Sequence, residues 1–463
     1  MADLPEGWDL AALPTAFDLN PGHHGLKIKD ETLVSFVPMT KIEEKTGKFD
    51  ASETRPYKEV KKNFTKFIEG DVIFAKITPC MENGKIALAS GLKNGIGCGT
   101  TELHVFRPKN DNQARYLFYF LLQDSLRAQA KENFQGTSGH MRVPLSFFED
   151  LQLPLPPPPQ QRLIVQKLDQ LMPKLEATRT RLDTIPSTLN RFRQAILSAA
   201  CSGRLTEDWR TKQKASEPIA KLLDTICRRR EVSAKTPARK AKLQEIFTLM
   251  EQNDSSELPE TWRFVALHKI CDSFDYGTSA KSQPSGKVPV LRMGNIQEGR
   301  IDWTDLVYTS DKDEILKYSL SPNTVLFNRT NSPELVGKTA IYRGEQPAIF
   351  AGYLIRINNL PELDPNYLNY FLNSMQARDY CVQVKTDGVS QSNINAQKLG
   401  SFEIPFCSIE EQHEIVRRVD ALFKKADAIQ ARYEHARKFV DALPQAILAK
   451  AFRGELMLAQ AEV

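Results

Sequence analysis

The sequence predicts an α+β fold made twice: two tandem α+β domains, separated and joined by two long helices packed as an antiparallel coiled coil with pseudo-twofold symmetry. A heptad seam and an internal repeat carry this prediction. Ile164, Leu168, Leu171, Leu175, Thr178, Leu182, Ile185, Leu189, Phe192 and Ile196 fall at alternating steps of four and three, the a/d spacing of a helix that packs lengthwise against another. Adding 251 to each number gives Ile415, Val419, Leu422, Ala426, Ile429, Tyr433, Ala436, Val440, Leu443 and Ile447, a second seam in the same phase. The chain therefore carries its own partner helix.

Identities recur where hydrophobic spacing does not require them. Gln161 matches Gln412, Asp169 matches Asp420, and Gln194-Ala-Ile-Leu197 matches Gln445-Ala-Ile-Leu448. Gly203-x-Leu205 matches Gly454-x-Leu456. A chance coiled-coil pattern shares apolar positions without sharing these, so the chain is a tandem duplication.

The first α+β domain covers 1–155. It opens at Leu4-Pro-Glu-Gly-Trp8, which the second domain echoes as Leu258-Pro-Glu-Thr-Trp262. Asp71 to Lys76 and Glu102 to Phe106 read as strands. Leu117, Phe120, Leu121 and Leu126 form the apolar stripe of a helix from about Tyr116 to Lys131. The run Leu153-Pro-Leu-Pro-Pro-Pro-Pro159 then acts as a stiff spacer.

The first long helix covers 156–203. About 40 helical residues at 1.5 Å each make a rod of roughly 60 Å. Pro173 and Pro186, with Pro444 in the second copy, each remove an intrahelical hydrogen bond and predict kinks or short breaks. Residues 204–256 form a basic, polar, partly helical connector; its Arg228-Arg229-Arg230 and Arg239-Lys240 are read as a solvated face. The second domain covers 257–407, with Tyr367-Leu-Asn-Tyr-Phe-Leu372 echoing Tyr116-Leu-Phe-Tyr-Phe-Leu121. The second long helix covers 408–456, and 457–463 are a tail.

Composition narrows the function. The 463 residues are 41% hydrophobic and 26% charged, ordinary for globular domains with real cores. A net charge of +5 is small for this length, so a basic surface must be local. No segment reads as a signal peptide or membrane span. The seven cysteines are scattered without a CxxC pair, which argues against a disulfide framework and a structural zinc. A reduced, cytoplasmic protein is expected.

No catalytic constellation emerges. Asp364-Pro-Asn-Tyr367 differs by one residue from the Asp-Pro-Pro-Tyr loop of amino-methyltransferases. Its local reading is a helix cap: Asp at the N-cap and Pro at the first helical position. Asp71, Glu82 and Lys85 resemble a nuclease centre, but Glu and Lys stand one residue too far apart, and Thr324 replaces Asp71 in the second copy, so Asp71 is read as a turn residue. The histidines show no ligand spacing, and neither a glycine-rich cofactor loop nor a phosphate loop is present.

What recurs is polar and basic. The segment containing Lys76, Thr78, Asn83 and Lys85 aligns, with an offset of 253, onto the segment containing Asn328, Arg329, Asn331 and Lys338. Each delivers a cation from a strand into a loop that Gly-Lys closes. A second loop holds His140 and Arg142 in one copy and Ser390, Gln391 and Asn393 in the other. These side chains hydrogen-bond base edges and phosphates. They are the candidate DNA-binding residues, weighed against a pair of solvated hairpins; no catalytic or metal-ligating residue is assigned.

The proline and Gln-Gln run at Leu151 to Gln161, its echo at Ile404-Pro405 to Gln412, Leu168-Asp169 with Val419-Asp420, and the helix ends Arg191 to Leu197 and Gln445 to Gly454 resemble the specificity subunit of Type I restriction-modification enzymes across nearly the whole chain. The resemblance implies two target recognition domains, each reading one half of an asymmetric bipartite DNA sequence, and helices that fix the gap between halves. It also implies a noncatalytic subunit whose partners are double-stranded DNA, two modification subunits (adenine-N6 methyltransferases) and two restriction subunits. S-adenosylmethionine, ATP and Mg are then expected on the partners only, with no cofactor on this chain. The alternatives are a DNA methyltransferase or nuclease with its own recognition domain, and a coiled-coil adaptor that does not touch DNA.

Overall fold

The computed structural model describes residues 4–23, 25–110, 113–137, 139–213, 218–250, 253–254, 256–388 and 391–458. The chain divides into two compact units, 1–184 with 433–463, and 185–432. The division passes through both long helices, so each unit contains one α+β domain and a piece of each helix.

In the first unit, Phe17–Leu19, Leu103–Pro108, Val72–Ala75 and Ile86–Leu88 form a four-stranded antiparallel sheet in that order. A second sheet orders Thr54–Pro56, Leu33–Val37, Ile96–Gly99 and Thr65–Ile68, with one parallel pair between Leu33–Val37 and Ile96–Gly99. In the second unit, a six-stranded sheet runs Cys271–Tyr276, Leu354–Asn359, Thr324–Asn328, Thr339–Tyr342, Gly299–Ile301 and Ile296–Gln297. The run Val72–Ala75 and residues 325–327 are apolar on both faces because the domain core lies on one side and a smaller cluster on the other.

A two-stranded ribbon closes each domain where the long helix begins. Asp9–Ala12 pairs with Gln152–Leu155, and Arg263–Ala266 with Glu403–Phe406. The buried hydroxyl of Tyr116 donates to Pro154 O at 2.7 Å, and that of Tyr367 to Pro405 O at 2.6 Å. Gln161 Nε2 donates to Pro156 O at 2.8 Å and Gln412 Nε2 to Cys407 O at 2.9 Å. The repeated tyrosines and glutamines thus satisfy backbone carbonyls where each ribbon passes into its long helix.

The first long helix is two helices, Pro158–Asp183 and Ile185–Cys201, while the second is continuous over Ile409–Phe452. The expected interruption occurs at Pro186, which the chain places in the first turn of a new helix where its missing N–H costs nothing. Pro173 and Pro444 lie inside unbroken helices, correcting the expectation of breaks there. Each removes one bond from a long ladder whose nearby residues, Leu168 and Leu448, are locked into a domain core. Helix segments run antiparallel within each unit. Arg179 pairs with Asp441 at 3.5 Å and Lys167 Nζ reaches Leu456 O at 3.1 Å in the first. In the second, Arg193 pairs with Asp427 at 2.7 Å and Thr206 with Glu411 at 2.7 Å.

The seam is buried at Ile164, Leu168, Leu189, Ile196, Ile415, Val419 and Ala426, and all of these but Leu189 and Ala426 belong to a domain core. Leu175, Leu182, Tyr433 and Val440 between them are half-buried, and Ile429 is exposed. The predicted helix Tyr116 to Lys131 is also two, Gln113–Leu121 and Asp124–Glu132. Asp124 N takes the Gln445 side-chain oxygen at 2.8 Å, which caps the second of them. The connector holds the helices Ile219–Ser233 and Pro237–Thr248, anchored by Ile219, Ile226 and Leu243. No helix among the described residues is long and apolar enough to cross a membrane.

Candidate nucleic-acid interface

The two polar loops singled out in each domain are neighbours in space. In the first domain Ile77 bridges Arg142, Lys76 N donates to Glu102 O at 2.9 Å, and Val143 N donates to Lys76 O at 2.9 Å. In the second, Thr330 pairs with Asn393, Arg329 N donates to Tyr353 O at 3.0 Å, and Ile394 N donates to Arg329 O at 2.9 Å. Lys76 and Arg329 therefore occupy the same station of the same backbone frame. The frame joins Lys76 to segments 26 and 67 residues further along the chain, and Arg329 to segments 24 and 65 residues further along.

The side chains on this frame differ. Arg142 forks onto Glu102 with two 2.8 Å bonds, Nε to Oε2 and Nη2 to Oε1, and its Nη1 donates to His140 O at 2.9 Å. This fork holds the Glu102 carboxyl below its ordinary range and raises the guanidinium. Lys76 is half-buried, and no hydrogen bond or ion pair engages its ammonium among the described residues. His140 is exposed. Thr78 N donates to Met141 O at 3.0 Å and its hydroxyl to Glu82, which Lys131 also contacts at 2.9 Å.

In the second domain the guanidinium of Arg329 lies 4.8 Å over the Tyr276 ring and donates through Nη2 to Asn393 Oδ1 at 2.9 Å. Asn393 Nδ2 donates in turn to Thr330 Oγ1 at 2.9 Å, which orients the amide. Asn331 pairs with Ser392. Gln391 is exposed, with its carbonyl accepting from Gly388 N at 2.8 Å. Ser390 lies outside the described residues.

The Gly-Lys ends play a different part from the loop cations. Lys85 Nζ donates to Met39 O at 3.0 Å and Lys338 Nζ to Gln297 Oε1 at 3.0 Å, while Asn83 holds Glu44 at 2.9 Å. These residues tie the loop back to its own domain. Asn328 is 0% exposed, with neither amide atom partnered among the described residues. It occupies a core position that Ala75 fills in the first domain, so it does not belong on a surface as the sequence had placed it. Strand alternation is the reason: Asn328 shares a face with Leu326, toward the inner cluster.

Asp71 is likewise more than a turn residue. Fully buried, it takes Arg107 at 2.8 Å and Ile68 N at 2.7 Å. Asp364 caps its helix, accepting from Asn366 N at 2.8 Å and Tyr367 N at 3.0 Å. No cluster of three or more potential metal ligands occurs among the described residues. Sequence reasoning missed Glu102, Tyr353 and Tyr276. The first two align with each other at the seam's own offset of 251 and could have been found that way. Tyr276 has no such signal, because only the pairing of three strands brings it under Arg329.

The sequence matches the family described as the Type I restriction modification DNA specificity domain twice, over residues 18–187 and 259–436. It is 29% identical to the EcoAI specificity subunit of Escherichia coli, covering 92% of this chain and 79% of that one. It is 28% identical to the EcoKI specificity subunit of Escherichia coli K12, covering 98% and 90%, and 31% identical to the EcoBI specificity subunit, covering 75% and 67%. In fold it is similar to a chain from a structure of assembly and conformational transition in the type I R-M system, with a TM-score of 0.65 at 20% identity over 98% of this chain and 100% of that one. It is also similar to the HsdS subunit of Thermoanaerobacter tengcongensis, with a TM-score of 0.61 at 21% identity over 98% of each chain.

Proposed function

This chain belongs to the DNA specificity subunits of Type I restriction-modification enzymes, and from that premise we propose that each of its domains reads one half of an asymmetric, bipartite target. The observation that carries this reading is the shared frame around Lys76 and Arg329, which presents different side chains to the same place. A duplicated frame supplies two equivalent reading stations. Different chemistry on them calls for two different half-sites, since a palindrome would be served by identical domains.

The chain contributes recognition and no catalytic group of its own. Adenine-N6 methylation with S-adenosylmethionine belongs to two modification subunits, and ATP- and Mg-dependent translocation and cleavage belong to two restriction subunits. The cytoplasm, where the DNA is, is the site of action. The two long helices set the number of base pairs between the halves.

The test is to express the chain with its modification subunits and map N6-methyladenine genome-wide, then replace residues 257–407 by the second domain of a relative. One half of the methylated motif should change while the other half and the gap persist. A change in both halves, or methylation without this chain, would overturn the reading. Inserting one heptad in each long helix should lengthen the gap and leave both halves intact.

A further inference from the structure

We propose that Arg329, held by Tyr276 and Asn393, is a guanine-reading site, and that the first domain has no counterpart of it. This rests on the reading of the chain as a DNA specificity subunit and names the base that one station takes.

Four observations lead there. A guanidinium carries five N–H groups. One Nη2 hydrogen goes to Asn393 at 2.9 Å and one Nη1 hydrogen makes a long contact with Gly352 O at 3.4 Å. One hydrogen on each Nη remains, the fork that fits the O6 and N7 acceptors of guanine in the major groove. Second, the group is aimed. The Tyr276 ring lies beneath it and is itself fixed by Ala396 N donating to its hydroxyl at 2.9 Å. Asn393 is oriented by Thr330, so both supports are held by the fold.

Third, the cation is uncompensated. No carboxylate pairs with Arg329 among the described residues. The position from which Glu102 neutralises Arg142 in the first domain is occupied by Tyr353, 45% exposed. An arginine without an acid keeps its charge and its donors for a ligand. Fourth, the buried Nε has no partner among the described residues, so the group is fastened by its ring stack and by one hydrogen from each Nη. In the first domain the equivalent station is Lys76, a point charge that cannot fork.

The experiment uses the complex of this chain with its modification subunits and its mapped motif. Each guanine of the second half-site is replaced in turn by 7-deazaguanine, which removes the N7 acceptor. Methylation should fall roughly 10- to 100-fold at one guanine. With Arg329→Ala the same duplex should lose nothing further, and the motif should relax at that position alone. Arg329→Lys should keep DNA affinity without restoring the preference. Tyr276→Ala should lose part of the same preference, and Tyr276→Phe, which keeps the ring but loses the hydroxyl that Ala396 N holds, should lose less of it.

The inference is overturned if Arg329→Ala leaves every base preference intact and lowers only the salt slope, since Arg329 would then hold a phosphate. It is also overturned if the relaxed position is an A·T pair, or if 7-deazaguanine acts equally on wild type and Arg329→Ala. A failure of the family-level reading is separate, because the unaltered complex would then show no bipartite motif. A misfolded variant is recognised by circular dichroism, and the deazaguanine scan of the unaltered complex still decides: it must show one sensitive guanine in that half.

Discussion

Gly454 packs directly against Pro5: a β-carbon on the glycine would lie 2.2 Å from the proline Cγ. Gly203 meets Pro259 in the same way at 2.5 Å, and both glycines are left-handed, at φ +79° and +73°. The end of each long helix is thus seated on the first residues of a recognition domain in its own unit. The repeated Gly-x-Leu and Leu-Pro sequences are the two sides of that seat.

Alanine at Gly454 meets both the left-handed backbone and the rigid proline ring. Such local strain costs on the order of 1–3 kcal/mol. Gly454→Ala should therefore lower the midpoint of denaturant unfolding, and Gly454→Ala combined with Pro5→Ala should recover part of the loss. Equal stability of the glycine variant and the parent would mean that the seat does not exist in solution.

Glu102 sets how much of the Arg142 charge reaches a ligand. Glu102→Gln should release Arg142 to neutralise one phosphate and steepen the salt dependence of DNA binding by about one unit. An unchanged slope would place Arg142 away from the DNA. The pair also has a pH signature. Its carboxyl lies below the ordinary 4.5, so its stability contribution is present above that value and is lost as pH falls through the lowered one. The stability difference between parent and Glu102→Gln should shrink on acidification below about 4.5 and stay constant at neutral pH.

Much of the fold was legible because the repeated residues do the same local work in both copies. Tyr116 and Tyr367 close equivalent proline carbonyls, Gln161 and Gln412 cap the same turn, and Ile164 and Ile415 enter the same place in a core. What could not be read depends on partners distant in sequence that differ between the copies. Arg107 makes Asp71 a buried ion pair, Gln445 caps a helix more than 300 residues earlier, and Tyr276 reaches Arg329 only through the sheet. The loop residues were visible as polar, but whether each faced out, tied its loop back, or entered the core depended on strand register.

Asn328 shows the last of these cases and is testable. A buried amide without partners costs about 1–3 kcal/mol in lost hydration. The first domain solves the same position with Ala75. Asn328→Ala should raise unfolding stability by about 1 kcal/mol, the small cavity offsetting part of the gain. A loss of stability on calorimetry would reveal a buried water satisfying the amide.

At Glu411 the two copies diverge in what holds the repeated tryptophan. Trp8 Nε1 donates to Gln160 Oε1 at 3.0 Å in the first unit, and Trp262 Nε1 donates to Glu411 Oε2 at 2.9 Å in the second. The acid replaces the amide because the connector brings Thr206 and Arg210 onto its other oxygen. Glu411 is buried at the centre of this group. Removing the charge leaves Arg210 half-buried without its counter-ion, and breaking such a pair costs about 3–5 kcal/mol. Glu411→Gln keeps the tryptophan's acceptor, so it should cost less than Glu411→Ala, while Arg210→Leu should partly rescue Glu411→Gln by removing the unpaired cation. If Arg210→Leu instead adds fully to the loss in denaturant titrations, the two residues act independently and the connector is held by its other contacts.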